Sequence, residues 1–215
     1  MKYGFSLIVR GKEATPETFD AMAQKAESLG LDSLWASDHL VIPPRRVSRY
    51  TGTADGDFPP AWLERYWEQF TVLTYLAGRT GRITLGTSVC ILPMHHPIEV
   101  AAKVAHLDQL LNGRFVFGVG VGWFQEEFEV LNWPFGERGA RTTEGLRIMK
   151  ALWTQDRPSF HGQFYRFDGV RFGPKPASQP HTPIWIGGET HAALRRVAQV
   201  GNGWHPFHLS PAGFR

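Results

Sequence analysis

The pair Asp38-His39 closes the run LDSLWASDHL, so a carboxylate and an imidazole stand side by side at the end of an apolar segment. Imidazole changes charge near neutral pH and can exchange a proton with a bound molecule; the carboxylate can accept a hydrogen bond from that molecule, or cap a turn. Residue types alone leave both uses open. A second stretch, GVGVGWFQEEF, sets Gly118, Gly120 and Gly122 on alternate positions before an acidic helix start. The dinucleotide fingerprint needs G-x-G-x-x-G at the close of a first strand. Here the spacing is G-x-G-x-G in mid-chain, with Trp123 where the last glycine should fall, which argues against that loop. Missing side chains would instead let a flat ligand lie against the main chain, with amides around Val121 open to carbonyl or phosphate oxygens. A third stretch, Gly187-Gly188-Glu189-Thr190, meets a helix start. Helix N-terminal amides favour phosphate; a tight turn with Thr190 as its cap accounts for the same residues equally well. His205 stands at a further strand end, in NGWHPF. His95-His96 has adjacent spacing and no accompanying Cys/His cluster, so zinc is not expected.

These positions can act together only if the fold gathers them. A unit of amphipathic helix, glycine, apolar strand and polar strand end recurs along the chain. Thr15-Pro16-Glu17 is a cap followed by proline at the first helical position, Phe19 to Leu29 repeat at helical spacing, and Gly30 stops the helix. The pattern returns from Pro97 to Gly113 and from Thr190 to Gly201. It predicts six strands: Tyr3–Val9, Ser33–Ser37, Ile83–Ile91, Phe115–Gly120, Pro183–Gly187 and Gly203–Phe207. Helices alternating with short strands predict a parallel sheet covered by helices. Residues 40–61, rich in proline, glycine and arginine, form a long loop placed to act as a lid, and 158–182 read as a hairpin insertion. Trp62, Tyr66 and Trp67 read as packing around the second helix, and Arg138 and Arg141 as solvated.

An open doubly wound sheet binds its ligand at one switch point, whereas a (β/α)₈ barrel carries chemistry around a ring of strand ends. Here Asp38-His39, Ser88, Gly120–Gly122, Gly187–Gly188 and His205 all end strands. The barrel is therefore expected, as a single domain over 1–215. Such barrels run to about 250 residues, so the expectation is of one truncated after about six strands.

The balance of 23 basic and 20 acidic residues leaves a net charge of +3, and the basic residues are scattered. That argues against nucleic acid and permits an anionic ligand. No apolar run approaches the roughly 18–20 residues that span a bilayer, so no membrane segment is expected. One cysteine, Cys90, cannot form an intrachain disulfide, which makes a cytoplasmic setting the default.

Taken in order, WASDHL (35–40), LGTSVCILPMHHP (85–97), GRFVFGVGVGWFQEEFEVL (113–131), FGERGARTTEGL (135–146), FYRFDGVRFGPKP (164–176) and PIWIGG with ALRRVAQVGNGW (183–204) resemble the bacterial luciferase-like monooxygenase superfamily. The SDH element resembles the branch that uses the deazaflavin coenzyme F420. The resemblance implies an oxidoreductase acting on a small organic substrate, with Asp38 hydrogen-bonded to the cofactor and His39 beside its reactive ring as the acid–base group. It implies a non-prolyl cis peptide between Ser88 and Val89 pressing on that ring; without it, TSVCIL is a plain buried strand. It places Gly120, Val121 and Gly122 against the cofactor and Gly187, Gly188, Glu189 and Thr190 near its phosphate-bearing tail. It leaves Trp123 and His205 as the residues expected to face the substrate. Where related dehydrogenases can carry a glutamate after the glycine run, this chain has Trp123, which points to a more apolar substrate than a sugar phosphate. Relatives are often dimers. Two other readings stay open: a monooxygenase using reduced FMN and oxygen on the same scaffold, and a barrel that binds a flavin-like ligand without turnover.

Overall fold

A computed structural model describes residues 1–62, 65–207 and 209–210. The helices begin where the sequence supplies caps. Helix α1 (Pro16–Ser28) starts with Thr15 accepting from the Thr18 amide at 3.3 Å and buries Phe19, Ala23 and Ala26. Helix α2 (Gln69–Ala77) is capped by Glu68, whose carboxylate accepts from the amides of Phe70 and Thr71 at 2.9 and 2.7 Å. Helix α3 spans Pro97–Leu110, a short α4 Gln125–Val130, α5 Arg138–Thr154 and α6 His191–Val200.

Between them run β1 (Gly4–Ser6), β2 (Ser33–Ala36), β3 (Thr84–Thr87), β4 (Cys90–Ile91), β5 (Phe115–Gly120), β8 (Ile184–Gly187) and β9 (Gly203–His205), all parallel. The order β1-β2-β3-β5-β8-β9, with β4 also on β5, makes a half-barrel of (β/α)₈ type with six strand places. A separate antiparallel pair, β6 (Phe160–His161) and β7 (Arg166–Phe167), stands off the sheet. The helices close one face over a core of Leu34, Leu85, Phe115, Phe117, Ile184 and Ile186 with Leu73, Val104 and Met149. No helix among the described residues is long and apolar enough to cross a membrane.

The other face curls on itself. Trp35 of β2 and Trp185 of β8 approach to 5.2 Å between ring centroids, and His205 stacks on Trp35 at 5.5 Å. Glycines make room for these rings: a Cβ on Gly203 would lie 2.7 Å from Cδ1 of Trp185, and one on Gly4 would lie 2.6 Å from Nε1 of Trp35.

Phe115–Gly120 has its expected bounds, two strands lose one end residue (Ser33–Ala36 and Ile184–Gly187), and three differ by more. Tyr3–Val9 pairs only over Gly4–Ser6, because beyond Leu7 the chain leaves β2; Val9 instead accepts from the Trp67 amide at 2.8 Å and Arg10 bridges Tyr66. Ile83–Ile91 breaks in two around Ser88-Val89, which is a cis peptide. From Gly86 to Cys90 the strand advances four residues while β5 advances three, from Val116 to Val119. One residue is thus left over, as in a bulge. The last strand ends at His205 rather than Phe207.

Candidate active site

At the C-terminal ends of β2, β4, β5, β8 and β9 lies a cavity of about 460 Å³. Asp38, His39, Ser88, Val89, Gly120, Val121, Gly122, Trp123, Gly187, Gly188, Glu189 and His205 all line it. Thr190 lies outside that lining; its hydroxyl accepts the Ala193 amide at 3.2 Å and caps α6. The cavity also takes in Trp62 and Tyr66, expected only to pack around the second helix, Tyr50 and Phe58 from the loop 40–61, and Arg10, Ser37 and Phe207, which no motif marks. Trp67 does pack, edge-on against Phe19 at 5.4 Å.

His39 is 8% exposed, and its Nδ1 lies 2.6 Å from Oε2 of Glu127. Glu127, in the first turn of α4, is fully buried, and its other oxygen accepts the amides of Leu40 and Val41 at 2.7 and 3.2 Å. One carboxylate therefore fixes both the imidazole and the backbone that follows it. Four aromatic rings, Phe58, Tyr66, Trp123 and Phe124, surround His39 edge-on at 5.3 to 6.3 Å. With Nδ1 tied to Glu127, Nε2 is the ring nitrogen left to exchange a proton with a guest. The sequence signal for this partner was weak: Glu127 is one of two adjacent acids, 88 residues from His39.

Asp38 is 2% exposed. Its Oδ2 accepts the Ile91 amide and a hydrogen bond from Nε2 of His95, both at 2.8 Å, and its Oδ1 has no partner among the described residues. His95, which the sequence reading considered only for zinc, is thus the second-side support of Asp38. Burial alone would depress its pKa, but the hydrogen bond and charge of Asp38 outweigh burial and hold it above the usual histidine range. Cys90 joins this group, with ligand atoms of Asp38, Cys90 and His95 within 4.8 Å of one another. Burial, reinforced by the charge of Asp38, pushes the Cys90 thiol well up, so it stays protonated.

The alternate glycines have a packing role that the sequence did not reveal. A Cβ on Gly118 would collide with the carbonyl oxygen of Thr87, whose hydroxyl donates to the Gly118 carbonyl at 2.6 Å. One on Gly120 would lie 2.6 Å from a methyl of Val89, and one on Gly187 would lie 3.2 Å from the other. The space at Gly118 and Gly120 is taken by the chain itself, and Val89 is brought to the cavity floor between β5 and β8. Gly122 has φ +78°, and a Cβ there would meet Ile91 at 2.6 Å. Arg138, expected in solvent, donates to the Gly122 carbonyl at 3.2 Å and stacks over Phe135. Arg141 pairs with Glu137. On the facing side, Ser88 hydrogen-bonds Nε2 of His205 at 2.8 Å, and burial depresses the His205 pKa.

The loop 40–61 lies over the mouth, with Tyr50 stacked on Phe58 at 5.0 Å and Phe58 tilted against Trp123 at 5.4 Å. Arg46 pairs with Asp57 and Arg49 donates to the Asp55 carbonyl, so these arginines brace the loop internally. Glu126 holds its middle by accepting the amides of Val47 and Ser48. Burial pushes the Glu126 carboxyl up, but hydrogen bonds from Val47 and Ser48 outweigh it and bring its pKa down to about 2. A folded pKa below the unfolded value means that the tether is complete above about 4.5 and is lost as pH falls through about 2. Hydrogen exchange at Val47 and Ser48, corrected for intrinsic rates, is expected to lose protection over that window. In Glu126→Gln the same loss should already be present at neutral pH; full protection there would show that the loop is held otherwise.

A flat, hydrogen-bonding ring system fits these residues. The cavity is lined by Asp38, whose buried Oδ1 has no partner among the described residues, by the imidazole of His39, and by a floor of Val89 and glycine backbone without projecting side chains. Chemistry at the C-terminal mouth of parallel strands is the arrangement of a (β/α)₈-type enzyme. The chain belongs to the luciferase-like monooxygenase family, whose sequence profile matches residues 1–215. It is 35% identical over 203 residues to the F420-dependent glucose-6-phosphate dehydrogenase of Nakamurella multipartita, covering 93% of this chain and 55% of that protein. It is 39% identical over 141 residues to the FMNH2-dependent dimethylsulfone monooxygenase of Pseudomonas putida, covering 64% and 38%. The crystal structure of monooxygenase RslO1 from Streptomyces bottropensis superposes with a TM-score of 0.75 at 27% identity, over 95% of this chain and 59% of that one. The chain thus spans little more than half the length of that solved structure.

Proposed function

We propose that this protein is a cytoplasmic oxidoreductase that uses coenzyme F420 to move a hydride to or from a small organic substrate. The observation that carries the reading is the pairing at one mouth of the unpartnered Asp38 Oδ1 with His39, whose imidazole is fixed through Nδ1. Asp38, Val89 and the backbone at Gly120–Gly122 would hold the deazaflavin ring, and Gly187, Gly188 and Glu189 would hold its tail. Bound there, the deazaflavin supplies the hydride chemistry, which belongs to the cofactor rather than the chain. His39 holds or releases the accompanying proton at Nε2, Glu127 keeps the ring turned for it, and the loop 40–61 excludes water.

The second reading is a monooxygenase using reduced FMN, favoured by the Pseudomonas putida relative and by Trp123 in place of an acid after the glycines. Titration of the purified protein with F420 and with FMN separates the two. Tighter F420 binding is expected; tight FMN binding with no F420 binding would overturn the preference.

A further inference from the structure

Arg10 reaches the cavity from the segment after β1. Its guanidinium lies 3.7 Å over the Trp62 ring, and Nη1 donates to the Ser37 hydroxyl at 3.1 Å. Ser37 in turn shares a 2.6 Å hydrogen bond with the Tyr66 hydroxyl. Among the described residues no carboxylate forms an ion pair with Arg10. Of the acids on the same cavity, Asp38 directs Oδ2 to His95 and Ile91 and Glu189 directs Oε1 to the Phe207 amide, and neither forms an ion pair with Arg10. A partly desolvated guanidinium without a counter-charge is costly unless a guest supplies one. The surrounding wall of Trp62, Tyr50, Phe58 and Trp123 offers flat apolar surface and little hydrogen bonding.

We infer that Arg10 is the recognition point for an oxyanion on the substrate, a carboxylate carried by a flat, apolar body that lies on this aromatic wall. The planar fork suits two oxygens in one plane, and Ser37 and Tyr66 add a hydroxyl donor beside it. The inference rests on the proposed function only in taking this mouth as the substrate site. It names the class of substrate that the reaction would use.

Calorimetric titration with naphthoate and with naphthamide, which share shape and differ in charge, tests it without any cofactor. A charge-assisted hydrogen bond contributes about 1.5–3 kcal/mol, so naphthoate should bind about tenfold or more tighter. In Arg10→Met, which keeps an apolar stem over Trp62, naphthoate should fall to the affinity of naphthamide, and naphthamide should be unchanged. Arg10→Lys should recover part of the preference, since it restores charge without the fork. Equal affinity in the unsubstituted protein, failure of both probes to bind, or a preference that survives Arg10→Met each overturns the inference. So does a loss of F420 or FMN affinity in Arg10→Met with the naphthoate preference intact, which would give the oxyanion to the cofactor. Failure to bind either cofactor, with the Arg10-dependent preference present, would sink the oxidoreductase reading alone.

Discussion

In His39→Gln, turnover falls about 10²- to 10⁴-fold, the usual contribution of a positioned acid–base group, while cofactor affinity is unchanged. Glutamine keeps much of the volume inside the ring of Phe58, Tyr66, Trp123 and Phe124. It retains a donor towards Glu127 but has no titratable nitrogen. The loss should therefore lie in kcat rather than in binding, because the proton is needed only as the hydride moves. Glu127→Gln gives a smaller loss: the imidazole remains, but the buried anion that orients it through the 2.6 Å contact is gone. Added imidazole should restore part of the activity of a His39→Gly variant and none of that of Glu127→Gln. Steady-state kinetics with the cofactor that binds decides the matter. Undiminished kcat in His39→Gln removes His39 from proton transfer.

Gly118→Ala lowers the melting temperature, even though alanine in a compatible strand position stabilises a chain by about 0.4–1 kcal/mol through its unfolded state. The new Cβ would land on the main-chain oxygen of Thr87; Thr87 is paired with Ala36 of β2 and Gly118 with Trp185 of β8, so neither backbone can withdraw without disturbing its own ladder. Overpacking of this kind costs about 1–3 kcal/mol, and a chain of this size loses roughly 2–4 °C per kcal/mol. Gly120→Ala costs less, because its obstacle is a Val89 methyl at 2.6 Å, a side chain that can shift. It should instead disturb cofactor affinity, since Val89 lies on the cavity floor. Thermal denaturation of both variants gives the ranking. A Gly118→Ala protein as stable as its parent, or less affected than Gly120→Ala, contradicts the packing described.

Much of the scaffold was legible in the sequence. Helix starts at Pro16, Pro97 and His191 follow from residues that cap or pre-set the first turn, which are local interactions. Strand ends were less legible. The pairing of β1 stops at Ser6 although apolar residues continue to Val9, because the segment at Tyr66 and Trp67 draws that stretch away from the sheet. Local pattern carries no record of so distant a competitor. The glycines show the same limit. Their spacing announced a special strand, but the sequence reading gave their space to a ligand, whereas Thr87 and Val89 take it at Gly118 and Gly120.

The chain's order of apolar runs, caps and polar strand ends was enough to establish a parallel α/β barrel type with a mouth near Asp38, Gly120, Gly187 and His205. Those features repeat within about thirty residues and depend on backbone geometry that neighbours in sequence control. Tertiary structure alone decided which groups work in pairs: His39 with Glu127, Asp38 with His95, Ser88 with His205, and Arg10 over Trp62. Each of these pairs joins residues more than fifty positions apart and has at least one member on the cavity, and each forms because sheet register and curvature bring distant segments together there.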